Sequence, residues 1–177
     1  MKELDPNNLV FIDESGVQTN MTRFYGRIIG GKRLKDSTPG GHWNNTTILS
    51  AIRINGSTES MTINGATDTE VLMQFLRKIL CPTLRKTDIV VLDNLSVHKM
   101  VEVREIIEKT GASLLFLPPY SPDFNPIEKM WSKMKTILRK LKARTDRQLD
   151  RAIQKAFMDI TASDAIGWFK SCGYGIN

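Results

Sequence analysis

The sequence predicts an α/β fold: a mixed five-stranded sheet, antiparallel over its first three strands and parallel thereafter, flanked by helices. Three observations predict it. Two apolar runs, residues 9–12 and 89–92, show no in/out alternation, as central strands covered on both faces should. The early strand candidates are joined by stretches short enough for an antiparallel meander. The later ones alternate with helical segments, the pattern of parallel pairing. Finally, 177 residues that are 41% apolar and 25% charged make one domain with a core, not a disordered chain.

Each element has its own signal. Residues 9–13 are too short a run for a helix and rich in β-formers, so they read as a buried strand. Residues 24–30 and 46–54 read as the second and third strands, with Asn55-Gly56 as a hairpin turn and 60–63 as a short return strand. Residues 67–80 read as a helix, with Val71, Leu72, Phe75, Leu76 and Ile79 on one face and Pro82 as its stop. Residues 89–93 form the next strand, and 97–109 a helix ending at Gly111. Residues 113–117 form the last strand, closed by Pro118-Pro119. Residues 126–141 are an amphipathic helix with the stripe Ile127, Met130, Trp131, Met134, Leu138 and Leu141. Leu149, Ala152, Ile153, Ala156, Phe157 and Ile160 make the stripe of a final helix.

Several functions are set aside at once. Two distant cysteines, Cys81 and Cys172, exclude a disulfide scaffold and suit a reducing compartment. The start has no apolar core for a signal peptide, and no stretch is apolar enough to span a bilayer, so a cytoplasmic protein is expected. GRIIGGKR at 26–33 nearly spells a P-loop but has Arg33 where magnesium needs Ser or Thr, and no helix follows. No nucleotide cofactor is therefore expected. His42, Cys81, His98 and Cys172 lack zinc-ligand spacing, and Ser15 lies in no nucleophile elbow. Trp43 and Trp131 read as core or ordinary surface rather than base-stacking platforms, with Trp43, in a polar loop, left open.

The charge is uneven. Net charge is +6, yet residues 129–155 hold ten Lys and Arg against Asp146 and Asp150, while the rest has fifteen basic and seventeen acidic residues. A Lys-rich segment reads first as a solvated helix face; it is also the footprint that a polyanion would need.

Two carboxylates stand at awkward positions. Asp13 ends the first apolar run and Asp93 ends the fourth strand. Each alone reads first as a turn or cap residue. On neighbouring parallel strands, however, both would meet at the carboxyl edge of the sheet, where α/β folds bind ligands. Two carboxylates about 4 Å apart repel by roughly 1–4 kcal/mol, so a proton, an Arg or a hard divalent cation would have to offset them. Glu128 is the third candidate. Asn125 at the N-cap, Pro126 at N1 and Glu128 at N3 resemble a capping box, which competes with any metal role for the same carboxylate. At about 100° per residue, Glu128, Lys135, Arg139 and Lys142 fall on one flank of that helix. A carboxylate followed by a basic track suits phosphodiester chemistry, with Lys135, Arg139 and Lys142 on the backbone. Asp, Asp and Glu from separate elements suit magnesium.

Three blocks carry a family resemblance. FIDESG at 11–16, VLDN at 91–94 with His98, and LPPYSPDFNPIE at 117–128 followed by Trp131 resemble the signature of DDE transposases. The chain is most similar to bacterial insertion-sequence transposases related to the mariner superfamily. Thirty-four residues separate Asp93 from Glu128, a spacing typical of that group. The resemblance covers nearly the whole chain and implies a single ribonuclease-H-like catalytic domain over residues 1–177. It implies that Asp13, Asp93 and Glu128 hold Mg²⁺ or Mn²⁺, two ions with DNA bound. Asn94, His98 and Asn125 match supporting positions near the site. The implied activity is hydrolysis of double-stranded DNA at transposon ends, then attack of the freed 3′-hydroxyl on target DNA, by a homodimer associated with the nucleoid. Such transposases usually carry helix-turn-helix domains ahead of the catalytic domain, and none is expected within residues 1–177. The alternatives are another ribonuclease-H-like nuclease, such as a junction resolvase or hybrid hydrolase, or an inactive DNA-binding remnant.

Overall fold

The computed structural model describes residues 4–23, 25–27, 29–30, 33, 35, 37, 40, 43, 45–93 and 97–175, with only the backbone for 97–100. Five strands, β1 (Leu9–Gln18), β2 (Asn45–Arg53), β3 (Thr58–Asn64), β4 (Ile89–Leu92) and β5 (Ser113–Phe116), form one sheet in the order β3-β2-β1-β4-β5. β1, β2 and β3 pair antiparallel, while β1–β4 and β4–β5 are parallel. The helices are α1 (Thr69–Phe75), α2 (Val97–Glu108), α3 (Pro126–Leu141), α4 (Asp146–Met158) and α5 (Ala162–Ser171). This is the mixed sheet between helices that the sequence predicts, and the ribonuclease-H-like arrangement that the resemblance implies.

The uninterrupted apolar runs are explained by two cores. Leu9, Phe11 and Val91 face one side, against Ile127, Met130 and Met134 of α3, Ile153 of α4 and Phe169 of α5. Val10, Ile12 and Val90 face the other, against Leu72, Phe75, Leu76 and the α2 residues Val103 and Ile107. Period-two alternation thus places each of the first four residues of β1 in one core or the other. Phe11 is clamped edge-on by Phe169, with ring centroids 5.3 Å apart. Between β2 and β4, Asp88 is fully buried and accepts from Arg53 Nη2 at 2.7 Å. Burial pushes its pKa up, but the hydrogen bonds from Arg53 and the Arg85 amide outweigh this and hold it below the usual carboxylate range.

Four expectations change. The described residues of 24–30 are not in a strand: Tyr25, Gly26 and Arg27 pair with no described strand, Ile29-Gly30 is a turn, and Tyr25 and Ile29 are exposed, while Phe24 and Ile28 lie outside the described residues. The missing partner is β3, the return strand after Asn55-Gly56. Gly56 is needed there twice, for its φ of +85° and because a Cβ would lie 3.0 Å from the Ala162 backbone. Second, β1 runs to Gln18 rather than stopping at Asp13, because β2 pairs with it as far as Asn45. Third, the helix expected over 67–80 is α1 followed by a π-helical turn at Leu76–Leu80. Fourth, Leu141 is exposed at the end of the α3 stripe. α5, opened by a capping box between Thr161 and Asp164, has no counterpart among the sequence-predicted elements.

Candidate active site

The register of the parallel pair brings two carboxylates together. β1 and β4 align Leu9 with Ile89, Val10 with Val90 and Phe11 with Val91. Continued two residues further, the same offset sets Asp13 beside Asp93. Asp13 is therefore mid-strand on β1, where β4 has already ended. β5 follows β4, with Leu117 N–H donating to the Leu92 carbonyl at 2.8 Å. That bond delivers the proline-rich loop to the same edge. The loop then feeds α3, whose first turn carries Glu128. Asp13, Asp93 and Glu128 line one cleft of about 370 Å³, walled by Leu117, the three prolines, Tyr120, Ser121 and Asn125.

The electrostatics of this edge are unfavourable to bare carboxylates. The Asp13 pKa is pushed up to about 7, first by burial and then by the Glu128 and Asp93 charges. The Glu14 amide and the Trp131 indole work against that rise. Asp93 stands exposed at the strand end, but its carboxyl pKa is also raised, by partial burial and by the charge of Glu14. Trp131 Nε1–H donates to Asp13 Oδ2 at 3.0 Å. The ring itself is buried, so it is core and site at once.

The competition between capping and site at α3 is resolved. Asn125 is the N-cap residue, but its side chain caps nothing, and no capping box forms with Glu128. Asn125 is buried, lines the cleft, and its Oδ1 has no hydrogen-bond partner among the described residues. A buried acceptor without a donor is costly, and here it borders three carboxylates. As placed, no group of three His, Cys, Asp or Glu among the described residues closes around a single ion. The donor set is nevertheless all hard oxygen and open to solvent, which fits magnesium or manganese, ions that keep waters and take further oxygens from a phosphate. The unpartnered Asn125 Oδ1 agrees with that fit.

Of the supporting residues, Asn125 is thus at the site. Asn94 lies outside the described residues, and of His98 only the backbone, in α2, is described. Lys135 and Arg139 lie half-buried along α3. Lys142 is not on the helix: it closes α3 in a left-handed conformation, φ +49°. There, with Arg151 and Lys155 of α4, it lines a second hollow of about 370 Å³ that contains no acidic residue. Two other cations of the basic segment are structural. Arg144 donates to the carbonyls of Thr19 and Met21 and to Thr22 Oγ1. Lys133 pairs with Asp164 at 2.5 Å.

Sequence reasoning missed the role of Trp131, although the residue closes the third family block. It also missed Glu14, which borders a smaller hollow beside Asp93. Neither has a local signal, because each partner lies on a different element.

Comparison with known proteins agrees with this geometry. The family described as DDE superfamily endonuclease matches residues 8–150. Among solved structures, the mariner Mos1 paired-end complex with Mg is similar with a TM-score of 0.74 and 15% identity, over 95% of this chain and 54% of that one. The Mos1 strand transfer complex is similar with a TM-score of 0.68 and 18% identity, over 94% and 51%. The catalytic domain of Mos1 mariner transposase gives 0.58 and 16%, over 95% and 76%. The chain thus spans about half the length of the transposase chains in the two complexes. No curated protein matches its sequence. Among the described residues, no helix is long and apolar enough to cross a membrane.

Proposed function

Because the chain belongs to the DDE superfamily endonuclease family, we propose that it is the catalytic domain of a transposase, cutting DNA at transposon ends and joining the freed end to target DNA. The observation that carries this reading is the convergence of Asp13, Asp93 and Glu128, from a strand, a strand end and a helix, on one open cleft. Asp13, Asp93 and Glu128 would hold Mg²⁺ or Mn²⁺. When bound, such ions stabilise both the attacking and the leaving oxygen of an in-line phosphoryl transfer.

The reaction needs no covalent link to the protein. In the first step a water oxygen bonds to phosphorus, its proton goes to solvent, and the P–O3′ bond breaks. This leaves a 3′-hydroxyl and a 5′-phosphate. In the second step that hydroxyl oxygen attacks a target phosphorus, loses its proton and displaces a new 3′-oxygen. The protein's part is positioning. Trp131 holds Asp13 in one orientation, the proline-rich loop fixes one wall, and α3 presents Glu128 from a rigid first turn. Lys135, Arg139 and Lys142 neutralise phosphates of duplex DNA leading away from the cleft. A homodimer pairing two DNA ends completes the proposal.

The test uses the full chain and the Asp93→Asn variant. Calorimetry with Mn²⁺, with and without a short duplex, should show saturable binding that the variant loses. A duplex with a pre-cleaved 3′-hydroxyl end, mixed with plasmid and Mn²⁺, should become joined to the plasmid by the wild type only. Hydrolysis without joining would identify a different nuclease of the same fold. No metal binding in either condition would overturn the reading.

A further inference from the structure

The family match ends at residue 150, and residues beyond it reach back to the candidate site. α5 is seated on α3 by Lys133, which pairs with Asp164 of the capping box that opens the helix. At its other end α5 closes in a Schellman motif. Gly173 takes the left-handed turn, φ +91°, and donates to the Lys170 carbonyl at 3.1 Å, while Tyr174 N–H donates to the Phe169 carbonyl at 3.0 Å. Glycine adopts such a φ without strain. The turn folds the chain back and lays the Tyr174 ring against Phe169 and Phe11, with ring centroids 6.2 and 5.2 Å apart. Phe11 lies two residues before Asp13 on β1, on the same face of the sheet.

The Tyr174 hydroxyl spans to a second element. It donates to the Phe124 carbonyl at 2.9 Å. Burial pushes the phenol above its usual range, so the group remains an O–H donor throughout the neutral range. Phe124 immediately precedes Asn125, the N-cap residue of α3, and Glu128 stands in the first turn beyond. This stretch has little else to hold it. Pro122, Asp123 and Phe124 are exposed, and the Asn125 side chain caps nothing. Among the described residues the other hydrogen bonds of 119–125 are local: Ser121 Oγ to the Pro119 carbonyl, Phe124 N–H to Ser121, Asn125 N–H to Pro122, and Glu128 N–H to Asn125.

We propose that Tyr174 is a positioning residue for the carboxylate cleft: by tying the entry of α3 to β1, it limits where Glu128 stands relative to Asp13 and so pre-organises the pair for metal. This rests on the metal-dependent DNA-cutting reading above. The effect is one of populations. Without the tie, the exposed stretch 122–124 takes up further arrangements, and the first turn of α3 moves with it. An ion then binds only the fraction of molecules in which the carboxylates are together, and its apparent affinity falls by that fraction. One hydrogen bond bounds the fall, at roughly two- to tenfold.

Tyr174→Phe keeps the ring and removes only the donor. In the metal-free full chain, amide hydrogen exchange of this variant should quicken over residues 121–128 and stay as wild type in β1 and α5. Calorimetry with Mn²⁺ and a short duplex should show affinity weakened roughly two- to tenfold. Joining of a pre-cleaved 3′-hydroxyl end to plasmid should be slow at low Mn²⁺ and recover at saturating Mn²⁺, because the metal then selects the arrangement that the tie would have held. Exchange that is unchanged over 121–128 or that quickens through β1 and α5, Mn²⁺ affinity equal to wild type, or joining that stays slow at saturating Mn²⁺ would each overturn the positioning role and leave the DNA-cutting reading standing. A wild type that binds no Mn²⁺, with or without duplex, would overturn both.

Discussion

A single hydrogen bond shows how closely core and site are joined here. Trp131 is buried, and its indole N–H ends on Asp13 Oδ2. Trp131→Phe keeps most of the packing and removes the donor. Partners that orient metal ligands typically contribute 10–100-fold in affinity. Mn²⁺ binding by Trp131→Phe should therefore weaken by roughly tenfold or more, with little change in the circular dichroism spectrum; unaltered affinity would make the bond incidental. Asp13 itself has a pKa raised to about 7 in the folded chain, above its ordinary value of 3.8. A group raised in this way favours the folded state most when protonated, and that contribution is lost as pH rises through 7. Metal-free protein should accordingly lose stability between about pH 4 and pH 7 beyond what its other groups explain. Asp13→Asn, whose amide oxygen can still accept from Trp131, should flatten that slope. At pH 8 it should raise metal-free stability by roughly 2 kcal/mol, after allowing for residual solvent around the group. Thermal melts at pH 5 and pH 8 in chelator read this directly.

At the scale of elements, the basic segment separates into two populations. Lys133 and Arg144 are committed to the fold, one to the capping box of α5 and one to the chain following β1. Lys135 and Arg139 lie half-buried along α3, and Lys142, Arg151 and Lys155 line the second hollow; the proposed function sets duplex DNA against these five. Each phosphate contact removed should reduce the salt slope of binding by about one. Lys135→Ala with Arg139→Ala should thus lower the slope by about one or two, whereas Arg144→Ala should lower the melting temperature and leave the slope alone. An unchanged slope in the double variant would place the DNA elsewhere.

For the whole molecule, the sheet must hold its register for Asp13 to reach Asp93, and a buried ion pair supports that sheet. Arg53 at the end of β2 and Asp88 just before β4 bridge strands that are not neighbours, across the end of β1. Breaking a buried pair leaves an uncompensated charge, which typically costs about 3–5 kcal/mol. Asp88→Ala should show a loss of this size in urea unfolding. A change below about 1 kcal/mol would mean that water reaches the Arg53 guanidinium.

Much of this architecture was legible in the chain itself, because its causes are local. Unbroken apolar runs marked β1 and β4, the Asn55-Gly56 turn marked a hairpin, and the proline-rich block followed by Glu128 marked the entry to α3. Other features depended on contacts between distant residues. Residues 24–30 are β-rich, but their described members pair with no described strand, and β3 is the third strand of the meander. Asn125 looked like a helix cap, yet the folded chain buries its side chain beside the carboxylates. Trp131 looked like ordinary core until α3 packed against β1, and nothing in Pro-Pro-Tyr-Ser-Pro announces that Tyr120 is left-handed, with φ +57°. By itself the sequence determined which elements form and which three carboxylates are candidates, since periodicity and turn chemistry act over a few residues. Only the tertiary structure decided strand register, the partners of the buried polar atoms and that Lys133 and Arg144 are tied into the fold, since these depend on which surfaces the packed elements bring together.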